Sequence, residues 1–180
     1  MLGLAAQWLG VNQTQANSVA PILISEEQGR HKSTFCRMLM PPQLARYYSD
    51  NLKLTAQGNP ERLLAEMGLL NMDEFDKFGA QKMPLLKNLM QMSSLNICKA
   101  YQKNFRSLPR IASFIGTSNR TDLLCDPTGS RRFICIEAEH DIDCTGIEHS
   151  QIYAQLKEEL LAGARHWFNK EEEHALQRHN

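Results

Sequence analysis

The chain of 180 residues is long enough for one domain with a sizeable core, and its 42% of hydrophobic residues is ordinary for a soluble globular protein. The 20 Lys and Arg residues balance the 20 Asp and Glu residues, so the formal net charge is zero. No apolar run approaches the roughly 18 residues of a membrane-spanning helix, and the N-terminus lacks the basic region of a signal peptide. Five cysteines without a C-x-x-C pair favour reduced thiols, which predicts a cytoplasmic protein without a membrane partner.

The charges are distributed unevenly along the chain. The stretch from Lys77 to Thr121 contains no Asp or Glu. A local excess of one sign indicates an anionic partner, with nucleic acid first among the candidates. The alternative is a set of solvated side chains whose acidic partners come from elsewhere in the fold, and the sequence favours neither. The basic residues of this stretch are Lys77, Lys82, Lys87, Lys99, Lys103, Arg106, Arg110 and Arg120.

Apolar periodicity predicts helices alternating with short strands along the whole chain. Residues 1–19 form an N-terminal helix and loop, and residues 150–180 form a C-terminal helical segment. Such alternation predicts one α/β domain over residues 1–180, with a mostly parallel five-stranded sheet between two helical layers. Strands are predicted at 20–25, 46–49, 68–72, 109–116 and 132–136, and helices at 2–9, 33–40, 60–67, 82–91 and 150–168.

The segment after the first predicted strand resembles a phosphate-binding P-loop, whose pattern is G-x-x-x-x-G-K-[ST]. Glu26 and His31 stand where the two glycines of that pattern belong. We expect Lys32 to reach the outer phosphates of ATP and the Ser33 hydroxyl to bind Mg²⁺, a cation that takes oxygen ligands. The alternative is an ordinary loop in which Ser33 or Thr34 caps a helix. The predicted nucleotide-binding residues are Gln28, Gly29, Arg30, His31, Lys32, Ser33 and Thr34.

The backbone of such a loop has to approach the phosphates closely, which usually requires glycines at positive φ. Gly29 is the glycine that this segment keeps. Histidine tolerates positive φ better than most residues. We therefore expect His31 to weaken the loop without abolishing it.

Two carboxylates, Asp73 and Glu74, end the apolar strand predicted at 68–72. In P-loop ATPases the first acid of such a pair holds Mg²⁺ and the second polarises the attacking water. We expect these roles for Asp73 and Glu74 in that order. A strand that simply runs into an acidic loop is the alternative.

Polar residues also flank the last two predicted strands. Asn119 ends the strand at 109–116, where it would contact the γ-phosphate or orient the attacking water, unless it is a turn residue. Arg131 and Arg132 precede the last strand. An arginine offered from a neighbouring subunit would neutralise charge in the transition state, whereas a surface ion pair would contribute little.

In this order the motifs resemble the virulence-associated E family, the P-loop ATPase module of primase–helicases in phage and mobile elements. That family is similar to superfamily 3 helicases of the AAA+ class. The resemblance runs from about Leu23 to about Trp167. It is carried by residues 28–35 as Walker A, 71–76 as Walker B, 86–90 in the stretch that follows, 116–119 as sensor 1 and 128–133, Thr-Gly-Ser-Arg-Arg-Phe, as its most distinctive segment.

The resemblance implies an ATP-driven motor with Mg²⁺, often a hexamer, whose active sites lie at subunit interfaces. It also implies a hairpin between Walker B and sensor 1 that grips single-stranded DNA, here at residues 96–106. Lys99, Lys103 and Arg106 would then contact phosphates, and Tyr101 or Phe105 would stack on bases. Two alternatives stay open: a nucleic-acid-binding module whose altered loop has little or no ATPase activity, and a P-loop small-molecule kinase.

Overall fold

A computed structural model describes residues 1–11, 16–98, 105–120 and 130–179. Its centre is a five-stranded sheet in which every neighbouring pair of strands is parallel. The strands of the chain are β1 (Ala20–Ile24), β2 (Tyr48–Ser49), β3 (Leu69–Met72), β4 (Ser94–Cys98), β5 (Phe105–Pro109), β6 (Ser113–Ser118) and β7 (Phe133–Glu137). The order in the sheet is β2-β3-β6-β1-β7, and β4 and β5 form a separate antiparallel pair.

Helices cover both faces of the sheet. They are α1 (Leu2–Leu9), α2 (Lys32–Met38), α3 (Pro60–Glu66), α4 (Met83–Gln91), α5 (His149–Leu161) and α6 (Lys170–His179). One core cluster joins α3 and α4 to one face, through residues such as Leu64, Leu86 and Leu70. A second cluster joins α1 and α2 to the other face, through Leu4 and Cys36. The predicted α/β architecture with a five-stranded parallel sheet is therefore confirmed.

The α2 helix is fastened at its end by side chains of α5. The Tyr153 hydroxyl donates to the Leu39 carbonyl oxygen at 2.7 Å, and Nε2 of His149 lies 2.7 Å from the Met38 carbonyl oxygen. Tyr153 also stacks on Trp8 of α1, with ring centroids 5.5 Å apart. These contacts satisfy carbonyl groups that a helix end leaves without intrahelical donors. They fix the helix that begins at Lys32.

Two predicted boundaries are wrong for physical reasons that the structure reveals. The helix predicted at 150–168 ends at Leu161, because Gly163 takes the left-handed conformation (φ 82°) that terminates a helix. A second helix, α6, follows. The strand predicted at 109–116 begins only at Ser113, because the amides of Ile111 and Ala112 both bond to the Leu64 carbonyl oxygen at the end of α3.

Candidate functional site

The site lies at the carboxyl edge of the sheet, where the ends of three neighbouring strands meet. Parallel pairing aligns Thr117 of β6 with Leu23 of β1, and Gly116 of β6 with Met72 of β3. The loop after β1, the acids after β3 and the polar end of β6 are therefore brought side by side. Ligands of open α/β sheets bind in this kind of crevice outside the carboxyl ends of the strands.

Lys32 occupies the middle of this edge. Its Nζ donates to the Asn119 Oδ1 at 3.0 Å and to the carbonyl oxygens of Ser25 at 3.1 Å and Glu27 at 3.3 Å. The side chain is 8% exposed. All three acceptors are uncharged, so this ammonium group is held by dipoles in a partly desolvated setting. A phosphate oxygen is a stronger acceptor for a cation than any of them.

The ionisation of Lys32 reflects that setting. Burial lowers the pKa of Lys32 most, and the positive charge of Arg30 lowers it further. The negative charge of Asp73 acts in the opposite direction. An arriving anion would favour the charged form of the lysine and raise its pKa again.

The backbone of the loop before Lys32 is left-handed at two positions. Gly29 has φ 85° and His31 has φ 60°, so both lie in the left-handed region. His31 adopts positive φ, and its expected effect of weakening the loop stays a prediction. An ion pair between Arg30 and Glu27, at 2.7 Å, also joins two residues of the loop. Gln28 and Gly29 are exposed at its tip.

The two residues predicted to hold Mg²⁺ contact each other directly. The Ser33 hydroxyl donates to Oδ1 of Asp73 at 2.8 Å. Within the described ranges, no group of three or more His, Cys, Asp or Glu side chains is arranged to hold a metal ion. Mg²⁺ does not need a site made entirely of protein ligands, because it keeps several waters and takes phosphate oxygens from a nucleotide. One carboxylate and one hydroxyl are therefore a suitable set of protein ligands for it.

Glu74 is adjacent to this pair but its carboxylate is engaged elsewhere. Its backbone is left-handed, with φ 51°, and the half-exposed carboxylate pairs with Lys77 at 2.6 Å. Lys77 holds one of the two carboxylate oxygens of Glu74, Oε2. The sequence predicted neither the left-handed backbone nor this ion pair.

Thr117 is a site residue that the sequence reasoning missed. Its hydroxyl donates to Oδ1 of Asp73 at 2.6 Å and accepts the backbone N–H of Glu74 at 3.3 Å. The side chain is 3% exposed. One signal was available, because strand alternation places Thr117 on the same face as Asn119, two residues further on.

Arg131 and Arg132 lie in a short turn before β7 and face the C-terminal helix. Arg131 pairs with Glu173 of α6 at 3.6 Å. Arg132 is 9% exposed, and its pKa is lowered by burial first and by Arg131 second, against an opposing effect of Glu173. Among the described residues, no hydrogen bond or ion pair joins either arginine to Asp73.

The predicted hairpin is present in its two arms. Strands β4 and β5 pair antiparallel, with Arg106 opposite Ile97. Arg106 is exposed, whereas Lys99 and Lys103 lie outside the described residues. Arg110, which the sequence grouped with these cations, is 1% exposed and donates to the Leu89 and Met90 carbonyl oxygens at the end of α4. It therefore belongs to the core, so the basic stretch is partly structural.

The helices differ from membrane-spanning helices in length and hydropathy. In the described part of the chain, none combines the length and the apolar character that crossing a membrane requires.

Comparison with known proteins identifies the family. The chain belongs to the virulence-associated protein E-like domain family, which matches residues 10–180. A solved apo structure of the NrS-1 C-terminal region is 21% identical, with a TM-score of 0.52, over 90% of this chain and 40% of that chain. A second, in the A form, is 19% identical, with a TM-score of 0.53, over 98% of this chain and 46% of that chain. The comparison with curated proteins found no match.

These structural similarities concern the fold. At such identities they carry no argument about activity. The chain spans less than half the length of the solved chains that it matches.

Proposed function

We propose that this domain is a P-loop NTPase module that binds and hydrolyses ATP with Mg²⁺ in a primase-helicase-like protein acting on DNA. The observation that carries the proposal is the convergence of Lys32, Ser33, Asp73 and Asn119 in two hydrogen-bonded pairs, Lys32 with Asn119 and Ser33 with Asp73, at one edge of the sheet. Three separate segments supply these residues, each from the carboxyl end of a parallel strand. Family membership supports the same function, because the matched residues 10–180 include all of these motifs and the family they resemble is a P-loop ATPase module.

Each of these side chains has a role that its present contacts support. Lys32 exchanges its loop carbonyl and amide acceptors for outer phosphate oxygens. Ser33 and Asp73 hold Mg²⁺, which supplies charge neutralisation at the phosphates when it is bound. Asn119, released by Lys32, contacts the γ-phosphate. Glu74 accepts a proton from the attacking water through its carboxylate, of which Lys77 holds only Oε2.

The proposed partner is DNA, with single strands preferred. The proposed assembly is a ring of subunits, a hexamer. Arg106 on the exposed β5 arm, together with Lys99 and Lys103, would contact phosphates. Arg131 or Arg132 would enter the site of the neighbouring subunit. For Arg131 this requires breaking the ion pair with Glu173.

The test is ATP hydrolysis by the purified chain with Mg²⁺, with and without single-stranded DNA, for the natural sequence and for Glu74→Gln. We expect DNA-stimulated turnover in the natural chain. We expect Glu74→Gln to keep nucleotide binding and to lose about 100-fold or more in turnover, because the amide cannot accept the proton. Glu158→Gln, an exposed substitution on α5, is the matched control and should leave turnover unchanged.

The result also separates the motor from the binding module. A chain that binds DNA but neither binds nor hydrolyses ATP would contradict the ATPase and support the binding module. A Glu74→Gln protein with normal turnover would exclude Glu74 as the base.

A further inference from the structure

The Thr117 hydroxyl connects the two acidic residues of the site. It lies 2.6 Å from Oδ1 of Asp73 and 3.3 Å from the backbone nitrogen of Glu74. A hydroxyl has one proton to donate and lone pairs that accept. Because Asp73 is an acceptor and the Glu74 N–H is a donor, one hydroxyl satisfies both without conflict. Thr117 is almost completely buried, so water does not readily replace it.

Asp73 accepts a second hydrogen bond, from the Ser33 hydroxyl, on the same Oδ1 atom. Under the proposed function, binding of Mg²⁺ would change the hydrogen bond of one hydroxyl and leave that of the other in place. Ser33 would turn its oxygen toward the cation and stop donating to Asp73. Thr117, on the buried strand β6, would then be the donor that still orients the Asp73 carboxylate. Hydrogen-bonded partners of metal-binding carboxylates hold them in place and strengthen metal binding.

The contact with Glu74 is a second, independent reason to single out this hydroxyl. Glu74 has a left-handed backbone (φ 51°), which residues with a Cβ rarely adopt. Its N–H is fixed by Thr117 and its carboxylate by Lys77. The hydrogen bond that the Glu74 N–H donates to Thr117 therefore holds the backbone of the proposed base in place whichever partner its carboxylate has.

We propose that Thr117 is a positioning residue that sets Asp73 for Mg²⁺ and Glu74 for water activation, an inference that rests on the proposed ATPase function. The neighbouring Ser118 offers a contrast. Its buried hydroxyl donates to Oδ1 of Asp76 at 3.0 Å and accepts the backbone N–H of Arg120 at 3.0 Å. It is the same kind of group on the same strand, but it contacts neither Asp73 nor Glu74.

The experiment compares Thr117→Val, which removes the hydroxyl at nearly constant volume, with Thr117→Ser, which keeps it, and with Ser118→Ala as the matched control. The first readout is amide hydrogen exchange of Glu74 in the nucleotide-free protein. The second is the Mg²⁺ concentration that half-saturates binding of a fluorescent ATP analogue. Thermal unfolding shows that each variant is folded, and Thr117→Ala replaces Thr117→Val if valine prevents folding.

We expect Thr117→Val to accelerate Glu74 exchange and to raise the half-saturating Mg²⁺ concentration about 10-fold or more. Thr117→Ser and Ser118→Ala should stay within about twofold of the natural chain in both readouts. A folded Thr117→Val protein with unchanged exchange overturns the inference. So does one with faster exchange and an unchanged Mg²⁺ requirement.

The failure of the proposed function looks different. In that case the natural chain itself shows no Mg²⁺-dependent binding of the analogue, which also removes the Mg²⁺ role of Thr117. The exchange readout then still decides whether the hydroxyl fixes the Glu74 backbone.

Discussion

Lys32 and Arg110 are both cations withdrawn from solvent, at 8% and 1% exposure, and both donate to uncharged oxygens. Their surroundings differ. Arg110 donates to the last carbonyl groups of α4 and, at 2.6 Å, to the Asn17 carbonyl oxygen, and its guanidinium lies over the Phe114 ring. Lys32 donates into an exposed loop and to a side-chain amide at the edge of the sheet.

The difference shows that burial of a cation does not by itself indicate function. The acceptors of Arg110 are helix-end carbonyls, which need a donor from outside the helix. The Glu27 residue that accepts from Lys32 belongs to an exposed loop, so its carbonyl oxygen can turn to water when the lysine leaves. Arg110 therefore completes the fold, whereas Lys32 keeps partners that a phosphate can replace. Burial lowers the pKa of Arg110 to about 10, so this cation stays charged at neutral pH without a ligand.

The largest expected effect follows from removing Arg110. Arg110→Met leaves the Leu89, Met90 and Asn17 carbonyl oxygens without this donor. A buried polar group left unpaired costs about 1–3 kcal/mol, so we expect the free energy of unfolding to fall by about 3 kcal/mol. Urea denaturation measures this loss. Nucleotide affinity of the folded variant should be unchanged.

Arg106→Ala is the matched control for Arg110→Met. Arg106 lies four residues earlier and is exposed on β5. Its removal should change the free energy of unfolding by less than about 0.5 kcal/mol. Equal losses for the two variants would contradict the distinction between a core arginine and a surface arginine.

A smaller change in free energy is expected at Lys32, in binding and not in stability. Lys32→Ala removes the cation that the proposal places on the outer phosphates, and hydrogen bonds from charged groups are worth about 1.5–3 kcal/mol, so affinity for an ATP analogue should fall about 100-fold. Calorimetry measures the affinity. The control is Lys157→Ala, an exposed substitution on α5. Unchanged nucleotide and DNA binding in Lys32→Ala would mean that the loop is vestigial.

The sequence predicted the fold well because short segments of sequence are enough to locate the strands of the sheet. Four of the five strands contain a short apolar run between turn or helix signals, and β2 (Tyr48–Ser49) ends the short segment predicted at 46–49, so each of the five was located. Boundaries failed where distant groups decide them. Ile111 and Ala112 look like a strand until the Leu64 carbonyl oxygen takes their amides. The break after Leu161 depends on one left-handed glycine, Gly163, within an otherwise helical pattern.

The site was predicted where motif order identifies residues and missed where only contacts do. Lys32, Ser33, Asp73 and Asn119 were found, and the structure brings them together. Their roles toward ATP and Mg²⁺ stay predictions. Thr117 was missed because strand alternation places it on the face of Asn119 but does not show that its hydroxyl reaches Asp73. The core role of Arg110 could not be predicted for a related reason. The sequence gives the charge of this residue but not its contacts with the end of α4.

The smallest expected effect is a pH dependence that separates Lys32 from Arg110. Burial, and then Arg30, lower the pKa of Lys32 in the free protein, with Asp73 opposing them. A bound phosphate stabilises the charged lysine and raises that pKa, so binding takes up a proton in the window between the two values. Affinity for an ATP analogue is therefore full below the free-protein pKa and falls as pH rises through it, by at most about 10-fold per pH unit.

The measurement is the dissociation constant from neutral to alkaline pH. In Lys32→Ala the profile should be flat, because the titrating group is gone, whereas in Arg110→Met it should fall as in the natural chain. A parallel fall in Lys32→Ala would assign the titration to another group and remove Lys32 from the phosphates.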